Sequence, residues 1–222
     1  MTTLGYCRGV VARTDREDGA DRGDRVGRAG RAGRYHHGDL RRALIEAAVE
    51  TIAAEGPAAV SLRSLAAQAG VSHAAPLHHF GDKAGLFAAI ALEGFDMLAD
   101  ELTAVWDATG DFGETGVCYV HFAVAHPGYF EVMFRPDLAG TPGSDLVAAK
   151  ERAFAQLTGP LVASGLEENS ESLKATSLAS WSIVHGLATL ILSGNLPEVD
   201  RSTVDTLTRR ILGLPAPACP PN

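Results

Sequence analysis

A chain of 222 residues can bury a substantial core, either as one mid-sized domain or as a small head on a larger body. Apolar residues make up 46% of it, dominated by Ala and Leu, and aromatics only 6%, which favours an all-α fold over a sheet protein. Three widely separated cysteines, Cys7, Cys118 and Cys219, offer no disulfide framework and no thiolate metal set, and point to a reduced, cytoplasmic setting.

The net charge of −8 argues against a nucleic-acid partner until it is divided along the chain. Residues 1–34 hold eight arginines and five acids, residues 35–83 four basic residues and five acids, and the remainder seven basic residues against seventeen acids. The acidity therefore sits in the C-terminal part, which is expected to face away from any polyanion. The segment 35–83 also holds five of the eight histidines (His36, His37, His73, His78 and His79), which add positive charge where protonated.

In chain order, residues 1–33 are rich in Gly, Arg and Asp and too poor in large apolar side chains to offset ordering entropy, so they are expected to form a disordered arm. The arm reads as a solvated tail or, alternatively, as a basic DNA-tracking segment. No apolar stretch of signal-peptide type is visible near the start. From Asp39, apolar residues at Leu40, Ala43, Leu44, Ala47, Ala48 and Ile52 recur at helical spacing until Gly56-Pro57. Ser61 opens a short helix with Leu62, Leu65, Ala66 and Ala69 on one face, closed at Gly70. Ser72 is placed to cap a third helix ending at Phe80-Gly81, and Asp82 to cap a long fourth one running to about Ala108.

Further helices are predicted near 114–126, 127–135, 144–164, 169–194 and 201–213, separated by breakers such as Arg135-Pro136 and Thr141-Pro142-Gly143. The stretch Leu178–Leu192 is apolar nearly all round, so more than one of its sides must be covered. At about 15 residues it falls short of a bilayer span. The last helix carries a cleaner stripe, Val204, Leu207, Ile211 and Leu214. These two helices form the expected homodimer interface. Residues 34–82 then make a head of short helices, 83–214 a longer helical body, and the Pro-rich 215–222 a flexible tail.

The segment from Ser61 to Phe80 has helix-turn-helix grammar: an apolar first helix, a tight turn at Gly70-Val71 and a short second helix able to enter a major groove. Ala74 and Ala75 permit close approach, and Ser72 with the free N–H groups at the helix start can hold a phosphate. Leu62, Leu65, Ala69, Val71, Leu77 and Phe80 are the expected internal packing residues.

Three pieces, Tyr35-His-His-Gly-Asp-Leu-Arg41, Ala69-Gly-Val-Ser-His-Ala-Ala-Pro76 and His79-Phe-Gly-Asp-Lys83, follow one another in the order and spacing of the TetR-family N-terminal domain, which this region resembles. Trp181-Ser-Ile-Val-His185-Gly186 is similar to the Trp/His-Gly signature of one C-terminal subclass of that family. The resemblance implies a three-helix DNA-binding head over residues 34–82 on a larger helical effector-binding and dimerisation body over residues 83–214, a homodimer on a palindromic double-stranded operator, usually a repressor, and release by a small-molecule effector. It implies neither an enzyme nor a cofactor, metal or membrane partner.

Lys83 matches a family phosphate contact at the start of the fourth helix. Arg63 is placed for backbone or a guanine edge, Arg41 and Arg42 for the DNA backbone, and Ser61, Ser72, His73, Ala74, Ala75, Leu77, His78 and His79 complete the expected interface. Two departures stand out: Leu77 replaces a usual Tyr that touches phosphate, and Ala84-Gly85 replaces a usual acidic residue that supports the helix start. Trp106, Phe122, His126, Tyr129, Phe130, Phe134, Trp181 and His185 are candidates for the effector pocket, with ordinary core packing as the alternative for each. An all-helical enzyme and a helical interaction protein without a DNA partner are the competing readings, although no nucleophile–base spacing or phosphate loop accompanies the helices.

Overall fold

The computed structural model of the protein describes residues 37–196 and 201–214; the expected arm 1–33 and tail 215–222 lie outside them. Among the described residues there are ten α-helices, one short 3-10 turn and no strand. The first four helices are α1 (His37–Glu55), α2 (Leu62–Gln68), α3 (Ala74–Phe80) and α4 (Lys83–Thr109). Then follow α5 (Phe112–Ala125), α6 (Pro127–Met133), α7 (Pro136–Ala139), α8 (Ser144–Ala163), α9 (Glu171–Leu192) and α10 (Arg201–Leu212).

Local chemistry sets the boundaries. At the end of α2, Gly70 takes φ +66°, and the Val71 N–H reaches back to the Ala66 carbonyl at 2.9 Å, so the orphan carbonyls of the last turn are satisfied. Asp82 caps α4 by accepting from the Gly85 N–H at 2.8 Å. Ser170 caps α9 by accepting from the Leu173 N–H at 3.0 Å.

The cap of α3 differs from the expectation. His73, not Ser72, stands at the N-cap position, and neither side chain makes a capping bond. The Ser72 carbonyl accepts from the Ala75 N–H at 3.0 Å, a three-residue closure. Pro76 falls in the first turn, where its missing N–H is an orphan in any helix. Pro76 is buried, whereas Leu77, expected inside, is 52% exposed. On a two-turn helix whose inner face is taken by Pro76 and Phe80, the position after the proline points outward.

The core runs from α1 (Leu44, Ile45, Ala48, Ile52) through α2 (Leu65) into α4 (Leu86, Phe87, Ile90, Leu98) and on to α5 and α6 (Val120, Phe122, Val132). α10 departs from the expected interface. Val204 is fully buried, Leu207 is packed against the core, and Leu212 and Leu214 lie against Gly116 and Gly113 of α5. Those glycines leave room for the leucines, so the stripe of α10 is spent within its own chain and only Ile211 stays exposed.

The arginine of α10 closes the same seam. Arg209 makes two bonds to the Glu114 carboxylate at 2.6 and 2.8 Å and one to Asp205 at 3.0 Å. The hydrogen-bonded Glu114 carboxylate, with Asp205 beside it, holds the Arg209 guanidinium above its ordinary pKa.

The outward apolar surface belongs to α9 and α8: Leu178, Ile183 and Leu190 on the first, Val147 and Phe154 on the second. By length and composition α9 is long and apolar enough to cross a membrane, because the helix extends N-terminally beyond the apolar stretch legible in the sequence. Its inner face, with Val184, Leu187 and Ala188, is buried in the protein.

Candidate nucleic-acid interface and effector cavity

Helix α3 is held on α2 and α1 by Pro76 and Phe80, leaving Ser72, His73, Ala74, Leu77 and His78 exposed along one surface. Ala75 and His79 are half-buried at its flank, and the His78 and His79 rings meet edge to face at 5.7 Å. Ser61 precedes α2 in extended backbone without a side-chain cap bond, and Arg63 projects into solvent from the first turn.

Three predicted contact residues also have partners within the chain. The Arg41 guanidinium lies 5.6 Å from the centre of the Phe80 ring, an arrangement that fixes both against the end of α3. Arg42 pairs with Glu46 at 2.7 Å one turn along α1, in solvent. Lys83 donates to the Ala58 carbonyl at 3.4 Å and sits 5.4 Å from the Phe87 ring centre, which poses its ammonium at the positive end of α4. Gly85 replaces the usual acidic residue for a steric reason: any Cβ there would run into the Phe80 carbonyl. The cap bond from Asp82 survives without the acidic partner.

In the body, a cavity of about 950 Å³ lies among α4, α5, α6, α8, α9 and the end of α10. Of the eight predicted pocket residues, Phe134 and Trp181 line it. His185 stands behind that wall: its Nδ1 is 2.8 Å from the Tyr119 hydroxyl, and its ring is 4.7 Å from Phe134 and 5.3 Å from Phe130. The Trp181 indole N–H donates to the same Tyr119 hydroxyl at 3.2 Å. Burial pushes the Tyr119 phenol well above its ordinary range and holds the His185 imidazole below its own, so both are neutral near pH 7.

The other five predicted pocket residues are placed elsewhere, Phe130 being buried against the rings of Phe134 and His185. Phe122 is buried with its ring tilted against His126 at 5.0 Å, and His126 Nε2 lies 3.6 Å from Glu101. Tyr129 donates to Glu93 at 2.8 Å, tying α6 to α4, and Trp106 is half-buried outside the cavity wall. Sequence reasoning missed Phe95, Phe112, Tyr119 and Phe154, which do line the cavity. A signal existed for α5: Phe112, Thr115, Gly116 and Tyr119 recur at spacings of three and four, with glycine where a wall must be open. Among the described residues no group of three or more His, Cys, Asp or Glu could hold a metal ion.

A family model described as "Bacterial regulatory proteins, tetR family" matches residues 44–90, and one described as "Tetracyclin repressor-like, C-terminal domain" matches residues 112–214. A solved structure of a protein with unknown function from Rhodococcus sp. RHA1 is 31% identical, covers 82% of this chain and 98% of its own, and has a TM-score of 0.65. An uncharacterized HTH-type transcriptional regulator of Mycobacterium tuberculosis is 25% identical over 171 residues, 75% of this chain and 76% of its own. A bacterial regulatory protein in the tetR family from Rhodococcus RHA1, 20% identical with a TM-score of 0.60, covers 78% of this chain and 93% of its own and shares the fold. The chain belongs to the TetR family of transcriptional regulators. It is an all-α, ligand-responsive regulator with a helix-turn-helix head.

Proposed function

We propose that the protein is a cytoplasmic repressor that binds a palindromic DNA operator as a homodimer and leaves it when a small molecule occupies the body, acting by binding rather than catalysis. The head comprises residues 34–82 and the body 83–214. The observation that carries the reading is the exposed surface of α3, where small and polar side chains face outward beside Lys83 and Arg63. Ser72, His73, Ala74, Ala75, Leu77, His78 and His79 approach the major groove. Ser61, Arg41, Arg42 and Lys83 hold the flanking backbone, and Arg63 reaches backbone or a base edge.

The second copy docks on the outward face of α8 and α9. Leu178 at 60% exposure, Leu190 at 46% and Val147 at 41% are too large an apolar display for solvated helices. Regulators of this family are dimeric, and pairing there would set the two recognition helices roughly 34–36 Å apart, one turn of B-DNA. The effector occupies the cavity walled by Phe134 and Trp181. Its effect on DNA affinity is bounded by its differential affinity for the two head spacings.

The test is fluorescence anisotropy with DNA from upstream of the protein's own gene, titrated from about 50 to about 200 mM salt. Saturable binding that is lost in an Arg63→Ala/Lys83→Ala variant of unchanged helicity is the expected result. No binding at any salt would overturn the reading.

A further inference from the structure

The cavity wall constrains what class of molecule can fill it. We infer that the effector is an uncharged, largely hydrocarbon molecule whose one oxygen function, a ketone, ester or hydroxyl, hydrogen-bonds to the Tyr119 hydroxyl. This inference rests on the reading of the cavity as the effector site.

Size and charge both favour such a ligand. About 950 Å³ is near the top of the range for small-molecule sites, and the wall is mostly aromatic and aliphatic, with Phe95, Phe112, Phe134 and Phe154 prominent. Among the described residues, the acidic and basic side chains that line it are Lys150 and Glu151. They are neighbours on α8 and opposite in sign. Lys150 is already turned onto the Phe95 ring, 5.5 Å from its centre, and Glu151 is exposed. A carboxylate or ammonium brought into the cavity would lose its hydration and find no unopposed counter-charge.

The polar groups of the wall are suited to one neutral oxygen. The Thr115 and Thr158 hydroxyls already donate to the carbonyls of Phe112 and Phe154 in their own helices. Gln156 and Ser180 are neutral. Tyr119 is the polar centre: its oxygen accepts from the Trp181 indole, and its other partner is an imidazole nitrogen. A neutral imidazole presents Nδ1 either as acceptor or as N–H donor. With Nδ1 as acceptor, the Tyr119 hydroxyl donates its hydrogen bond to His185 and keeps a lone pair for a ligand hydroxyl. With Nδ1–H as donor, the Tyr119 hydroxyl is free to donate a hydrogen bond to a ligand carbonyl. One tautomer change thus fits the site to either type of oxygen, and neither arrangement involves an ion.

The experiment uses the full chain and three probes of equal chain length: methyl decyl ketone, dodecanoate and dodecyltrimethylammonium, each below micelle formation. Calorimetry and thermal shift are expected to show the ketone binding and raising Tm, with the two ions roughly tenfold or more weaker. Tyr119→Phe is expected to weaken the ketone by a similar factor, and Ala153→Phe, which fills the cavity, to block it; circular dichroism checks the fold of both variants. Tighter binding of either ion that Ala153→Phe blocks would overturn the neutral-ligand inference while leaving the cavity as the effector site. No binding of the ketone at its solubility limit would overturn it as well. Responses identical in the parent and in folded Ala153→Phe would instead show that the cavity is not where these molecules go, and the reading beneath the inference would fail with it.

Discussion

Gly128 of α6 packs directly against the Val49 carbonyl of α1, so closely that any side chain at 128 would overlap the backbone of the first helix. The same short helix carries Phe130, whose ring meets His185 at 5.3 Å, and it leads directly into Phe134 of the cavity wall. One element therefore touches the head through its backbone and the cavity region through its side chains, in parallel with the long α4.

Gly128→Ala is expected to destabilise the protein by about 1–3 kcal/mol, because the obstruction is backbone and can yield only if α1 and α6 separate. Gly94→Ala should cost less: the atoms in its way belong to the Met133 side chain, which can rotate. Urea denaturation of the two variants checks the order, and the Gly128 variant should also show altered operator affinity.

At the start of α4, Asp82→Ala is expected to cost about 1 kcal/mol through loss of the cap bond to Gly85. Gly85→Ala is the sharper test. Helix propensity alone would make it stabilising by about 1 kcal/mol, whereas the contact with the Phe80 carbonyl makes it destabilising. A rise in Tm on Gly85→Ala would contradict the observed packing.

Lys83 and Arg63 should separate in their effect on DNA. Lys83→Ala is expected to weaken binding to all sequences alike and to lower the slope of log affinity against log salt by about one. If Arg63 reaches a guanine edge, Arg63→Ala relaxes preference at one base pair by about 1–3 kcal/mol. Anisotropy titrations on the operator and on single-base variants distinguish the two patterns.

His185 makes stability depend on pH. Burial lowers its pKa in the folded state, so between the ordinary value near 6.5 and the depressed one the unfolded chain binds more protons than the folded chain. Its contribution is present above about pH 6.5 and is lost as pH falls through the folded pKa. His185→Asn, which keeps a hydrogen-bonding group beside Tyr119 but does not titrate, should flatten that part of the stability profile measured by chemical denaturation.

The Arg209–Glu114 pair fastens α10 to α5 with little solvent around it, the two side chains being 13% and 26% exposed. Glu114→Gln is expected to destabilise by about 1–2 kcal/mol, less than a fully buried pair would lose because water still screens one edge. Limited proteolysis within α10 should accelerate in this variant, because the pair holds the helix on α5.

The fold class, the helix-turn-helix and most helix limits were legible in the sequence, because local chemistry decides them. A glycine at 70 can take positive φ, an aspartate at 82 can accept from the first turn of α4, and prolines at 127 and 136 suit helix starts wherever the rest of the chain lies.

The direction each face points was decided only in the tertiary structure. Periodicity shows that the stripe on α10 must be covered, but not by what; Gly113 and Gly116, about a hundred residues earlier, leave the groove that takes its leucines and leave α8 and α9 as the outward apolar surface. Leu77 looked like a packing residue until Pro76 took the inner position. Tyr119 of the cavity wall bonds to Trp181 beside it and to His185 behind it, each more than sixty residues away in the chain. A sequence window contains only near neighbours, whereas these contacts depend on how the helices pack against one another in space.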